Sequence, residues 1–277
     1  MIHRPSDLPD YDQPPVTEVV VGVQFNSIDG FITAHVGRLW DLFREEFPDA
    51  EEHPSVMPTF ETFGQTAPLL SGLALGFPPI FGMQRSFFVN ANKTQVLQIQ
   101  KDRFLHNWRK IGDEASYPRF ERILSTFKDG LGRFISFIAE SKLGSFEPNQ
   151  CEVTYINQIP VLPGENSFSA MTRLLGSLVG HPELKQLGFP EDARVLMRYV
   201  ISDADGFPMG RLLVNAEPAK RMSGEDIIQL SLTARGAPTP ADVDGVLAFL
   251  EKGRSHIVHG FTTLTAPSMH ALWGRRK

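Results

Sequence analysis

The predicted fold is decided by TEVVVGVQF at residues 17–25 and by EVTYINQIP at residues 152–160. Both are short runs rich in β-branched residues with prolines close to one end, which is typical of β-strands. Both also carry Glu-Val followed by Gln six residues after the Glu, at Glu18 and Gln24 and again at Glu152 and Gln158. This repeated pattern predicts that the chain contains two related halves.

Each of these strands opens the same order of predicted elements. The first half continues with a helix over 31–47, extended runs over 84–91, 94–101 and 103–109, and a long helix over 116–142. The second half continues with a short helix over 167–178, strands over 194–202, 209–216 and 227–235, and a last helix from an N-cap at Thr239 to about Pro267. The order predicts an α+β fold of two tandem β-α-β-β-β-α pseudo-repeats, residues 1–145 and 146–277.

Two such units joined edge to edge would form one curved antiparallel sheet. Each long helix would bury its apolar stripe against the same face of the sheet. The arrangement is similar to the class of folds that includes the TATA-binding protein. That likeness concerns the fold and by itself implies no function.

A Pro-rich insertion over 48–84 interrupts the first half. It contains six prolines, which cannot donate to a strand ladder, and an apolar run over 69–81. We expect this segment to act as a cover or partner loop rather than as regular sheet. Its longest apolar stretch, 68–83, is shorter than the ~20 residues that span a bilayer and is broken by Pro78-Pro79.

Composition narrows the class of protein. The chain has 277 residues, 42% of them hydrophobic and 21% charged, which predicts a folded core rather than a disordered chain. A net charge of -5 argues against a general nucleic-acid coat, and a single cysteine excludes a disulfide framework. The N-terminal residues 1–15 lack the apolar region of a signal peptide, so we expect a cytoplasmic protein.

Three blocks of the sequence resemble a known family. They are PPVTEVV at 14–20, LQIQKDRF at 97–104 leading to Asn107-Trp108-Arg109, and a last block with His256, His259, Phe261 and Thr265. The chain looks like a sporadically distributed bacterial family of unknown function that opens with a Pro-Pro-x-x-Glu-Val-Val strand. The resemblance implies a scattered, mobile-element-like distribution in bacteria. It implies no reaction and no catalytic residues.

The densest polar and aromatic cluster lies at 102–109, DRFLHNWR. On a strand, His106 and Trp108 share one face, and Arg103 shares the other face with Asn107 and Arg109. A face with His and Trp could stack on a ligand or a base. Alternatively, Trp108 closes the edge of the core. The candidate binding residues are Arg103, His106 and Trp108, together with Phe77 and Phe81 of the insertion.

Two structural ion pairs are expected, one in each half. Glu18 and Glu152 open the first strands, while Arg109 and Arg235 end the last strands. If first and last strands are antiparallel neighbours, Glu18 meets Arg109 and Glu152 meets Arg235.

Catalytic motifs are weak throughout the sequence. His256 and His259 are spaced i, i+3 without a nearby third ligand, and Cys151 has no helix N-terminus to lower its pKa. No phosphate-binding loop and no G-x-S-x-G elbow occurs. We therefore expect no metal, no cofactor and no catalytic residues.

The sequence favours a non-catalytic binding or assembly protein that acts through a protein partner or as a homo-oligomer, in a bacterial mobile-element or defence-type system. The missing catalytic motifs and the apolar run of the insertion favour this interpretation. One alternative is a nucleic-acid-interacting saddle, which the net charge disfavours. Another is an enzyme that uses His106 with a carboxylate.

Overall fold

The computed structural model of the chain describes residues 5, 7–64, 84–112, 116–176 and 184–276. The whole apolar run over 68–83, with Phe77 and Phe81, lies outside the described residues.

The described residues form nine strands and five helices. The strands are β1 Val16–Phe25, β2 Asp49–His53, β3 Arg85–Val89, β4 Gln95–Gln100, β5 Arg103–Arg109, β6 Pro148–Pro160, β7 Val195–Ser202, β8 Pro208–Lys220 and β9 Asp226–Gly236. The helices are α1 Thr33–Asp41, α2 Phe120–Glu140, α3 Ser167–Leu174, α4 Val243–Leu264 and α5 Pro267–Leu272.

All nine strands belong to one antiparallel sheet in the order β2-β3-β4-β5-β1-β6-β9-β8-β7. The central pair is β1 and β6, where Val21 lies opposite Val153. Outward from this pair follow β5, β4 and β3 on one side and β9, β8 and β7 on the other, with β2 added at the first edge. The protein is therefore an α+β fold built on a single large sheet.

The two long helices cover one face of the sheet. In α2, a stripe of apolar side chains recurs at three- and four-residue spacing, so that it faces the sheet along its whole length. Phe134 of this stripe packs against Phe25 of β1 and Phe104 of β5, with ring centroids 5.6 and 5.5 Å apart. Helix α4 packs on β6 and β9 in the same way. Because strand side chains alternate, every second residue of the sheet points to the opposite face.

The insertion departs from its prediction at its start. Residues 49–53 were expected to lie outside regular sheet, but they form β2, in which Ala50 pairs with Phe88 of β3. The run DAEEH carries no β-propensity signal, and its charges are those of a protected edge strand.

The helix ends also differ from the prediction. Helix α1 ends at Asp41 and continues as turns, and α4 is capped by Asp242, which accepts from the Gly245 amide at 2.9 Å, rather than by Thr239. Pro267 begins α5, since proline is favoured in a first helical turn. Within the described ranges, no helix is both long and apolar enough to cross a membrane.

Candidate functional site

The sheet face opposite α2 and α4 carries polar side chains, and we call it the polar face. Five amide side chains on or beside it, from β1, β4, β5 and β6, are each less than 10% exposed: Gln24, Gln98, Gln100, Asn107 and Gln150. Buried polar groups cost stability unless they are hydrogen-bonded. Such a concentration on one face indicates a site rather than a packing core.

A chain of hydrogen bonds crosses four strands of the polar face. Arg85 of β3 donates to Gln98 of β4 at 3.0 Å, and Gln98 donates to Asn107 of β5 at 2.8 Å. Asn107 in turn donates to the carboxylate of Glu18 in β1 at 2.6 Å. The amides thus connect a guanidinium at one end with a carboxylate at the other, and each bond polarises the next.

Residues 54–64, which we call the strap, cross the polar face. The Gln100 side chain forms two hydrogen bonds with the main chain of Val56. It accepts from the Val56 amide and donates to the Val56 carbonyl, each at 3.0 Å. Gln24 accepts from the Thr59 amide at 3.0 Å, and Arg103 donates to the Met57 carbonyl at 3.1 Å. These bonds go to the main chain of the strap, so they hold an extended backbone rather than particular side chains.

The far end of the strap docks on the second half of the sheet. Glu61 accepts from Arg211 of β8 at 2.8 Å and lies 3.5 Å from Arg235 of β9. Arg211 also donates to the Thr62 carbonyl at 2.5 Å, and its guanidinium lies 4.8 Å from the centre of the Phe63 ring. The strap therefore joins both halves, and its carboxylate fills a site between two arginines.

The second expected ion pair is present in this site. Arg235 lies opposite Glu152 and donates to its carboxylate from Nε at 2.7 Å and from a terminal nitrogen. Arg235 thus bridges Glu152 and Glu61.

The expected Glu18–Arg109 pair is wrong. The two residues lie opposite each other in the β1–β5 register, but Glu18 takes its hydrogen bond from Asn107, while Arg109 donates to the Lys93 carbonyl at 3.4 Å. Asn107 lies two residues before Arg109 on the same face of the sheet. Its amide takes the place at the Glu18 carboxylate that was expected for the Arg109 guanidinium.

A cavity of about 320 Å³ lies between the strap and the polar face. Strap residues Val56, Met57 and Thr59 form one wall. The sheet provides the other wall, with arginines, amides and one carboxylate around an apolar floor: Val20, Gly22, Val23, Gln24, Arg85, Gln98, Arg103, Leu105, Gln150, Cys151, Glu152 and Arg235.

The predicted binding cluster of Arg103, His106 and Trp108 is not one site. Arg103 lies under the strap, whereas His106 and Trp108 are buried on the helix side, 1% and 5% exposed. They line a separate cavity of about 270 Å³ beside α2. The separation follows from strand alternation, by which the sequence already predicts His106 and Trp108 on one face and Arg103 on the other.

His106 has both ring nitrogens engaged. Nδ1 lies 3.3 Å from the Ile123 carbonyl of α2, and Nε2 lies 3.2 Å from the Gln95 side chain. Burial lowers the pKa of His106 to about 4. A neutral, fixed imidazole of this kind supports packing between β5 and α2.

The remaining titratable candidates do not converge. Among the described residues, no group of three or more His, Cys, Asp or Glu is arranged to hold a metal ion. His270 of the C-terminal helix bonds to Thr265 at 2.8 Å, and burial lowers its pKa. Cys151 is fully buried, and burial raises the pKa of its thiol far above the ordinary range.

The Cys151 environment gives a direct prediction. At pH 8 the native protein should react with less than about a tenth of an equivalent of a disulfide reagent such as DTNB, because the thiolate is the reactive species. In denaturant the same protein should release one equivalent, as it contains one cysteine. Rapid stoichiometric labelling of the native protein would contradict a buried, protonated thiol.

Sequence reasoning missed several residues of the polar face, namely Glu61, Arg85, Gln100 and Arg211. The sequence does contain one signal, because the glutamines of β4 interrupt an otherwise apolar strand. No family model matches the chain, and comparison with the curated proteins gives no match.

Proposed function

We propose that the chain is a non-catalytic binding protein whose polar face takes an extended segment of a protein partner. The strap is the observation that carries the proposal. It lies on the polar face in extended form, held by side-chain bonds to its backbone from Gln24, Gln100, Arg103 and Arg211. A surface that holds one extended segment through its main chain has the chemistry to hold another.

The strap also indicates what the partner segment carries. Glu61 pairs with Arg211 and Arg235, and Phe63 lies against the Arg211 guanidinium. Guanidinium groups recognise carboxylates through paired, charge-assisted hydrogen bonds and also stack on aromatic rings. The partner segment is therefore extended and acidic, with an aromatic residue two positions after its carboxylate.

We further propose that the sheet consists of two pseudo-repeats, as the sequence predicts, in an arrangement similar to that of the TATA-binding protein. The matching strand orders, β1-β5-β4-β3 and β6-β9-β8-β7, support this proposal. So do the equivalent registers that place Glu18 opposite Arg109 and Glu152 opposite Arg235. A strap from a second copy is one source of the partner segment, and we propose a bacterial mobile-element or defence-type system as its setting.

Nucleic acid is the less favoured occupant of the polar face. Three of its arginines already contact carboxylates, because Arg103 lies 3.3 Å from Asp102, and Arg211 and Arg235 hold Glu61. Phosphate binding depends on cations that are free to replace counterions.

A peptide experiment tests the proposal. A fluorescent peptide of residues 54–64, PSVMPTFETFG, is titrated into the wild type and into Glu61→Lys. The lysine that this substitution introduces would be repelled by Arg211 and Arg235, which frees the face. We expect the peptide to bind the variant at least about tenfold more tightly than the wild type, measured by fluorescence anisotropy.

Matched variants keep this experiment interpretable. Glu52→Lys makes the same charge change on the exposed β2 edge and should bind the peptide like the wild type. Adding Arg211→Met to Glu61→Lys should abolish binding, while circular dichroism checks that each variant is folded. Equal binding of a peptide with a lysine in place of its glutamate would overturn the proposal. Salt-sensitive binding of a single-stranded DNA instead of the peptide would favour the alternative of a nucleic-acid-interacting saddle.

A further inference from the structure

The cavity beneath the strap has the size of a small-molecule site. Its volume of about 320 Å³ lies at the lower end of the range for ligand pockets. The strap lines it on one side with Val56, Met57 and Thr59, and the sheet lines it on the other. A ligand would bind in this cavity while the strap stays in place, whereas a partner segment would replace the strap on the polar face. The two binding sites are therefore separate.

The charge of the cavity wall is unbalanced. Among its described residues, three arginines stand against one carboxylate, that of Glu152. Arg103 and Arg235 have carboxylates nearby in Asp102, Glu152 and Glu61. Arg85 has none within ion-pairing distance among the described residues, and its Nε is buried without a hydrogen-bond partner.

Arg85 is held in a fixed orientation. One terminal nitrogen donates to Gln98 at 3.0 Å, and the guanidinium lies 4.8 Å from the centre of the Phe87 ring. Burial, and to a lesser degree the charge of Arg103, lowers the pKa of Arg85. An anion beside the guanidinium would offset both effects, and guanidinium groups hold carboxylates through charge-assisted hydrogen bonds.

The rest of the wall combines the amides of Gln24, Gln98 and Gln150 with apolar side chains. Among the apolar residues, Val20 and Leu105 belong to the sheet, and Val56 and Met57 belong to the strap. An apolar body between these side chains would exclude water and strengthen the ionic contact.

We propose that this cavity binds a small organic acid, with its carboxylate on Arg85 and its apolar body between the sheet and the strap. The ligand class is a monocarboxylate with a short hydrocarbon chain or ring. Inorganic phosphate supplies the charge without the apolar part, and a neutral alcohol supplies the apolar part without the charge.

Titration calorimetry on the full chain tests the site with three probes: hexanoate, hexan-1-ol and inorganic phosphate. We expect saturable binding of hexanoate, at least about tenfold weaker binding of the alcohol and of phosphate, and a loss of at least about tenfold for hexanoate with Arg85→Met. Arg109→Met is the matched control. Arg109 also has a buried Nε without a hydrogen-bond partner but does not line the cavity, so its replacement should leave binding unchanged.

A second variant guards against misfolding of Arg85→Met. Leu105→Trp fills the cavity without touching the guanidinium and should also abolish hexanoate binding, with thermal unfolding measured for both variants. The proposal is overturned if the wild type shows no saturable binding, if Arg85→Met binds as well as the wild type, or if hexanol binds equally. The peptide titration is independent of these outcomes, because it reports on the face with the strap removed.

Discussion

Replacing Glu121 with methionine is expected to lower the free energy of unfolding by about 3–5 kcal/mol. Glu121 of α2 accepts from Arg254 of α4 at 2.9 Å, and the Arg254 side chain is only 6% exposed. The guanidinium lies 5.3 Å from the centre of the Phe120 ring, and its Nε has no hydrogen-bond partner among the described residues. Loss of the carboxylate would therefore leave a buried charge without compensation.

Urea unfolding at neutral pH measures this effect. Asp129→Asn removes an exposed carboxylate from the same helix and should change stability by less than about 0.5 kcal/mol. The double variant Glu121→Met with Arg254→Met should recover most of the loss, because no charge then remains buried. A single variant that loses less than about 1 kcal/mol would mean that water reaches Arg254.

This ion pair bears on how the two halves stay together. Helix α2 follows the strands of the first half, and α4 follows those of the second. The halves share the β1–β6 ladder at the sheet centre, the Glu121–Arg254 pair on the helix side and the strap on the polar face. We expect one cooperative unfolding transition for the whole chain, since all three contacts are lost together.

Long, strongly patterned elements were predictable from the sequence. Strand β1 and helix α2 lie within a few residues of their predicted bounds, because the periods of their apolar residues are those of a strand and of a helix. Strand β4 was less clear. Gln98 and Gln100 interrupt its apolar alternation, yet both side chains are buried, and Gln100 is hydrogen-bonded to the strap. Contact with a segment some 40 residues away in the chain leaves no local pattern.

The candidate site was predicted only in part. The alternation of side chains along a strand correctly predicts that His106 and Arg103 lie on opposite faces of the sheet. It does not predict which of the two faces the helices cover. The register that brings Glu18 opposite Arg109 was also anticipated, whereas the choice of hydrogen-bond partner was not. The choice of partner depends on how far each side chain reaches. The short amide side chain of Asn107 donates to the Glu18 carboxylate at 2.6 Å.

The stability of the wild type is expected to fall on acidification because of His106. Burial lowers its pKa to about 4 in the folded protein, whereas in the unfolded chain it returns to about 6.5. Between these values the unfolded state binds a proton that the folded state does not, so protons favour unfolding. At pH 4.5 this linkage should cost about 2–3 kcal/mol relative to pH 7.5, and nothing further is lost once the pH is well below 4.

Urea unfolding of the wild type and of His106→Gln at pH 7.5, 5.5 and 4.5 isolates this contribution. The variant should be less stable at pH 7.5, since it loses contacts with Ile123 and Gln95, but its decline towards pH 4.5 should be about 2–3 kcal/mol shallower. His259→Gln, at an exposed position of α4, should keep the wild-type slope. Carboxylates that protonate in the same window affect all three proteins alike, so the difference belongs to His106. Parallel slopes for the wild type and His106→Gln would mean that the imidazole can be protonated without unfolding, which its burial between β5 and α2 argues against.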